Sequence, residues 1–118
     1  PNFPPRQNSP PKGIMLYDRR VGIREISDGT SATLIVSEDG GWKDGQWING
    51  RNLFDQAYAI NYRPPPGQPP ENEIRSDHPG GANALFADGS ARFLNEKMEL
   101  RVLAAICTRA GKEIVDEF

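Results

Sequence analysis

The residues best suited to chemistry lie in the second half of the chain. His78 is the single histidine and Cys107 the single cysteine among 118 residues. A thiolate–imidazole pair needs both side chains at one site, but Cys107 falls in an apolar helical stripe with Leu103 and Ile106, where a buried, unreactive thiol is expected. A His78–Asp88 dyad is disfavoured because the intervening predicted strand separates the two by about 20 Å at ~3.3 Å per residue. Each is expected to organise its own turn, and we predict that the protein is not an enzyme.

Acidic loop residues and aromatic residues indicate two kinds of non-catalytic site. Five acidic residues in or near loops offer carboxylate oxygens for Ca²⁺, which takes six to eight oxygen ligands: Asp28, Glu38, Asp39, Asp77 and Asp88. Asp77 and Asp88 are the candidates retained. No stretch has the EF-hand loop pattern, so solvated turn aspartates are expected and no cofactor is predicted. Aromatic side chains would either form a stacking surface for carbohydrate or pack as ordinary core and rim residues. They are Trp42 and Trp47, with Tyr58 and Tyr62.

Composition excludes several classes of protein. Glycine and proline number 12 and 11, too many helix breakers for a helical bundle or coiled coil. The net charge of −2 gives no electrostatic case for nucleic acid binding. A single cysteine excludes an intrachain disulfide, and no apolar run approaches the ~18–20 residues that cross a bilayer.

Ten prolines fall in two clusters that divide the chain. Residues 1–13 form a predicted extended, proline-rich arm. Residues 14–118 form a single predicted globular domain, and its second proline cluster predicts a long surface loop at 62–73. Both segments fit a semi-rigid spacer or a recognition motif.

Three segments in the first half carry strand or turn signals. Residues 33–37 are rich in β-branched side chains and are bounded by turn residues, which predicts a strand, central in its sheet. Residues 21–26 are predicted to be extended, and residues 27–31 to form a turn. Residues 42–49 fit either a short strand or a loop.

The strongest local signal is a β-hairpin around Asp88-Gly89, flanked by strands at 83–87 and 90–94. A two-residue loop would place Phe86 opposite Ala91 and Ala84 opposite Phe93. The predicted core face of the hairpin therefore contains Ala84, Phe86, Ala91 and Phe93. The opposite face would contain Asn83, Leu85, Arg92 and Leu94.

The last predicted element is a helix from Glu96 or Glu99 to Arg109, with apolar residues at helical spacing. Asn95 is the predicted N-cap and Gly111 the residue after the C-cap. The expected fold class is α+β: a small antiparallel sheet with an Asp-Gly hairpin and a C-terminal helix.

Three segments, in order along the chain, resemble motifs of the bacterial prepilin-type, processing-associated H-x9-D-G family of unknown function. Residues 26–36 resemble its I-x-D-G-T-S-N-T strand entry, and residues 103–115 its L-x-T-R-A-G-G-E-V-V ending. Residues 78–90 match the H-x9-D-G motif and lead into Arg92-Phe93. Departures at Ala32, Ser37 and Lys112 affect turn geometry. The matching signature residues are Asp28, Gly29, His78, Gly80, Gly81, Asp88 and Gly89.

This resemblance implies a pilin-like head that lacks its N-terminal helix. Family members begin with a basic leader and an apolar helix, as in type IV pilins and type II secretion pseudopilins, and Pro1 follows no such segment here. The resemblance implies a bacterial, extracytoplasmic protein that is membrane-anchored or filament-assembled through that helix. Its expected partners are other pilin-like subunits or secretion and envelope proteins. The alternative is an extracytoplasmic carbohydrate- or solute-binding module that uses Trp42 and Trp47.

Overall fold

The computed structural model of the chain describes residues 13–15, 20–40, 56, 58–68 and 73–109. Two 3₁₀ helices, Ile23–Glu25 and Thr30–Ala32, precede strand β1 at Leu34–Ser37. Strands β2 (Gly81–Phe86) and β3 (Ala91–Asn95) follow, and then helix α1 (Leu100–Ile106). The predicted α+β class with a small antiparallel sheet is confirmed. Predictions for residues 1–12, for 42–49 and for Gly111 lie outside the described residues.

The sheet has the order β1-β2-β3, with both pairs antiparallel. The central strand of the described sheet is therefore β2, and the prediction of a central strand at 33–37 is wrong for this part of the chain. Its β-branched sequence indicated burial, but Val36 is 50% exposed at the edge. The buried strand β2 contains Ala82 and Ala84. Because alanine has a weak strand propensity, the sequence did not indicate that this strand is central.

The core lies on one side of β2, where alternate residues of the strand point inwards. Ala82, Ala84 and Phe86 are buried there, and Phe86 is fully inaccessible. Helix α1 contributes the next layer through its buried face, which includes Leu103 and Ile106. The remaining members of the cluster are Ile60, Ile74 and Leu94.

The register between β2 and β3 differs by one residue from the prediction. Ala84 lies opposite Arg92 and Leu85 opposite Ala91. The Phe86 amide donates to the Ser90 carbonyl at 2.9 Å, which leaves a loop of three residues, 87–89, instead of two. A three-residue loop ends on a residue in the left-handed region; Gly89 occupies it with φ +87°, whereas the expected positive φ at Asp88 is not observed.

This one-residue shift turns β3 over. Leu94 is buried, whereas Phe93 is 52% exposed and Ala91 is exposed. The predicted core positions of Ala91 and Phe93 are therefore wrong, as is the outer position of Leu94. Arg92 lies on the inner side as well, with its guanidinium 5.2 Å from the centre of the Phe86 ring.

Helix α1 is shorter than the predicted helix at both ends. Glu99 is its N-cap, and its carbonyl accepts the amides of Val102 and Leu103 at 3.0 Å. Asn95 is not the N-cap. Its Oδ1 accepts the Lys97 amide at 2.8 Å, and this local side-chain bond stabilises a turn that competes with helix.

Residues 21–26, predicted to be extended, contain the first 3₁₀ helix. The Glu25 amide donates to the Gly22 carbonyl at 2.9 Å, and the Gly22 amide donates to Glu25 Oε2 at the same distance. These reciprocal bonds favour a turn, and Ile23 is 76% exposed, so no burial of this side chain favours a strand.

The second proline cluster is described as far as Gln68. Residues 62–68 contain no helix or strand, and Pro65–Gln68 form an exposed turn closed by a 3.1 Å backbone bond. Glu73, the last residue of the predicted loop, is only 2% exposed. No helix within the described residues has the length and hydrophobicity needed to cross a membrane.

Replacing Gly89 by valine is expected to destabilise the protein by about 1–3 kcal/mol, because a β-branched residue is strained in the left-handed region. Asparagine tolerates this region, so Gly89→Asn is the matched control and should lose less. Urea unfolding of the three proteins measures the difference. A Gly89→Val protein as stable as the wild type would contradict the three-residue loop.

Candidate functional site

The most prominent polar contact at the surface joins His78 to Glu38. His78 lies in the segment that leads into β2, and Glu38 directly follows β1. The His78 Nε2 and Glu38 Oε1 atoms are 3.0 Å apart. The second carboxylate oxygen of Glu38 accepts the Asn83 backbone amide at 2.7 Å. One carboxylate therefore links the histidine to the central strand.

The backbone of Glu38 strengthens the same junction. Its amide donates to the Asn83 carbonyl at 3.2 Å, and its carbonyl accepts the Arg75 amide at 3.0 Å. The Gly40 amide returns to the Arg75 carbonyl at 2.8 Å, and Asp39 and Arg75 form an isolated parallel bridge. The end of β1 is thus held between β2 and the segment that precedes it.

Ser76 and Asn61 fix the segment around His78, and the sequence analysis identified neither. Ser76 Oγ donates to the Gly81 carbonyl at 2.5 Å and accepts the His78 amide at 3.1 Å. Asn61 Oδ1 accepts the Ser76 amide at 2.7 Å, while Asn61 Nδ2 donates to the Gly81 carbonyl and to Glu96 Oε2 at 3.2 and 3.0 Å. Asn61 has φ +63°, a conformation that asparagine tolerates better than most residues.

Steric contacts explain why position 81 is a glycine. A Cβ atom placed on Gly81 would overlap the Leu94 carbonyl and lie 2.9 Å from Cε2 of Phe93. The aromatic ring therefore takes the space of a side chain at this position. The neighbouring Gly80 accepts the Glu96 amide through its carbonyl at 2.9 Å.

The Asp88 end of the motif has a different set of partners. Asp88 Oδ1 accepts the Ser90 amide at 2.9 Å and the Ser90 hydroxyl at 2.6 Å. These two bonds, the hydroxyl first, lower the pKa of Asp88 below 3.8. The Asp88 amide donates to the Thr30 carbonyl at 3.0 Å, and the Ala87 amide to the Thr33 carbonyl at 2.8 Å. The loop between β2 and β3 is thus tied to residues 30–33.

The Asp28-Gly29 segment joins this loop to the residues that follow helix α1. The Asp28 amide donates to the Arg109 carbonyl at 3.0 Å, and Thr108 Oγ1 donates to Asp28 Oδ2 at 3.4 Å. The Gly29 carbonyl accepts the hydroxyl of fully buried Thr33 at 2.8 Å. The first motif segment therefore contacts both of the others.

Arg109 is 8% exposed, and its Nη1 donates to the Gly13 carbonyl at 2.6 Å. This contact joins residues 96 positions apart in the chain. An arginine in the last motif segment thus anchors the first described residues.

The structure does not bring the candidate catalytic residues together. His78 pairs with Glu38, Asp88 with Ser90, and Cys107 packs against the core. Burial raises the pKa of the Cys107 thiol to about 12, so the thiolate that a nucleophile requires is scarce at neutral pH.

The candidate ligand-binding residues give no assembled site in the described part of the chain. Asp77 lies 3.8 Å from Arg63 with a largely exposed side chain. The described residues contain no group of three or more histidine, cysteine or acidic side chains able to hold a metal ion. Tyr58 and Tyr62 stack on each other with ring centres 4.2 Å apart. Trp42 and Trp47 lie outside the described residues.

Comparison with known proteins identifies the family. Residues 2–63 and 57–101 match the model of a family described as protein of unknown function, DUF1559. These matches cover most of the chain, which therefore belongs to that family. No curated protein matches the chain, and no solved structure matches it either.

The pKa of Asp88 provides a test of the turn. Ser90→Ala should raise this pKa towards 3.8, because it removes the hydroxyl that contributes most to the shift. A lowered folded-state pKa stabilises the fold above the unfolded-state pKa, and this contribution is lost as the pH falls through the folded-state value. NMR titration of the carboxyl carbon measures the change. An unchanged Asp88 pKa in Ser90→Ala, with Ser31→Ala as the surface control, would contradict the assigned bond.

Proposed function

We propose that this chain is the non-catalytic head domain of an extracytoplasmic, pilin- or pseudopilin-like protein that acts in filament or secretion-associated assembly. The observation that carries the proposal is how the signature residues are used. Glu38, Ser76 and Asn61 engage the His78 segment, and Ser90 engages Asp88. Their polar groups hold loops against the sheet, as expected of a scaffold that presents surfaces to other proteins.

The sheet offers such a surface on the side away from the core, which we call the outer face. It consists of Val36, Asn83, Leu85, Ala91 and Phe93. Val36 and Phe93 are 50% and 52% exposed, and Leu85 pairs with both Val36 and Ala91 across the strands. Exposed apolar side chains grouped on one face are typical of protein interaction sites.

The order of the three motif segments supports the pilin-like assignment. They resemble, in sequence order, motifs of proteins that carry a leader and an apolar N-terminal helix. In the folded chain these segments contact one another through Asp28, Asp88, Thr30 and Arg109. They therefore form a shared framework around the sheet, which suits a domain anchored or polymerised through a helix outside it.

Expression of the complete coding sequence in its native host tests this function. Fractionation and protease accessibility of intact cells should place the head outside the cytoplasm, in the membrane or sheared-filament fraction. Val36→Lys should reduce the assembled fraction severalfold, because burying a lysine in an interface is unfavourable. Ser31→Lys, at an exposed position outside the sheet, is the matched control and should assemble like the wild type.

A complete protein found as a free cytoplasmic monomer would contradict the proposal. Assembly that Val36→Lys leaves unchanged would contradict the role of the outer face.

A further inference from the structure

We propose that the open edge of β3 pairs with the β3 edge of a second copy of this chain, which would join two three-stranded sheets into one continuous antiparallel sheet. This inference names the partner in the assembly proposed above, and it rests on that proposal.

The backbone directions of β3 follow from its bonds to β2. The Phe86 amide bonds the Ser90 carbonyl, and the Glu96 amide bonds the Gly80 carbonyl, both at 2.9 Å. Because peptide groups alternate sides along a strand, Arg92 and Leu94 also turn their polar groups towards β2. The amides of Ala91, Phe93 and Asn95 therefore point to the opposite edge, where β3 has no paired strand within the described residues.

Within the described residues, the β3 edge lacks two features that commonly block strand addition, a proline and a bulge. The pairing of β3 with β2 is regular from Asn95 to Ala91, without a bulge, and β3 contains no proline. Natural edges are commonly protected by proline, bulges or charged side chains. The one charged residue of β3, Arg92, extends over the Phe86 ring.

The edge is complementary to itself. Two antiparallel copies related by a twofold axis at Phe93 place Phe93 opposite Phe93, and Ala91 opposite Asn95. These are the residues whose amides point outwards, so the opposed pairs have the right orientation for hydrogen bonding. The Asn95 carbonyl already accepts the Met98 amide at 3.1 Å and would use its second lone pair for the bond to Ala91. The same axis keeps both outer faces on one side of the sheet and brings the two Phe93 rings together, a favourable cross-strand pair.

The charges at the ends of the strand are also complementary. Asp88 precedes β3 and is exposed, and Lys97 follows β3 and is exposed. In the antiparallel arrangement, the start of one β3 lies beside the end of the other. The Asp88 carboxylate of each copy thus comes to the same end of the joint as the Lys97 ammonium of its neighbour, which favours this orientation over a parallel one.

Sedimentation analysis of the 118-residue chain tests the pairing. We expect a reversible dimer, and we expect Phe93→Lys to weaken the association at least tenfold because it opposes two lysines at the axis. Ser31→Lys adds the same charge at an exposed position outside the sheet, and is the control whose association should change less than twofold. A wild-type chain that stays monomeric up to about 1 mM, or equal weakening by both substitutions, would overturn the proposal.

A disulfide trap tests the register without a charge at the edge. In a hydrogen-bonded antiparallel pair the Cα atoms lie about 5.5 Å apart, within the usual range for a disulfide of about 4.4–6.8 Å. Oxidised Phe93→Cys should therefore give a covalent dimer at least tenfold faster than Asn83→Cys, whose Cα atoms would be roughly 14 Å apart across three strand spacings. The buried Cys107 thiol should leave the wild-type chain uncrosslinked under the same conditions.

Equal crosslinking rates for the two cysteine variants would overturn the pairing. Suppose the complete protein assembles in cells, but the two cysteine variants crosslink equally or the chain is monomeric. The proposed function then stands, and only the second copy as partner is refuted. Loss of assembly in cells with an intact dimer in solution would instead refute the proposed function.

Discussion

The fold depends on the hydrogen bonding of one short central strand. Strand β2 lies between β1 and β3. On its inner face, the side chains of Ala82, Ala84 and Phe86 are buried in the core. Because buried backbone groups must be paired, both neighbours have to be held in register along its length. β1 pairs irregularly, with a register shift between Leu34 and Val36. The Glu38 carboxylate then supplies the acceptor for the Asn83 amide, at a point where the described ladder has already ended.

This constraint accounts for the positions of His78 and Asp88, which are separated by nine residues. His78 precedes β2 and Asp88 follows it. The nine intervening residues are therefore strand β2 and the short connections on either side of it. At one end the His78 segment is tied to Glu38, and at the other the Asp88 amide is tied to Thr30. The segment from His78 to Asp88 therefore spans the central strand and attaches each end of it to a part of the chain far away in sequence. A shared proton or metal ion between the two residues is not required to explain their spacing.

Sequence reasoning identified local signals well and non-local partners poorly. The apolar period around Leu103 and Ile106 indicated a helix whose buried face is observed, and a strand was expected at 33–37, where β1 runs from Leu34 to Ser37. The predicted register of β3 was wrong because two- and three-residue loops share the Asp-Gly signal. A difference of one residue in loop length decides which face of the sheet Phe93 occupies. Glu38 and Asn61 were not predicted as partners of the His78 segment, since bonds between residues 15 to 45 positions apart leave no periodic pattern. Ser76 bonds His78 and Gly81, two and five positions away, and this local pattern was overlooked. Only the turn-forming character of asparagine offered a clue to Asn61.

A measurement of the bond between the Glu38 carboxylate and the Asn83 amide is the most direct test of how the central strand is held. Native-state hydrogen exchange of the Asn83 amide reports on it, and the Ala84 amide is a control because Ala84 pairs with Arg92 on the other side of the strand. The account predicts that Asn83 is protected in the wild type and that Glu38→Ala lowers its protection at least tenfold more than that of Ala84. An unprotected Asn83 amide, or one indifferent to the loss of the carboxylate, would contradict it.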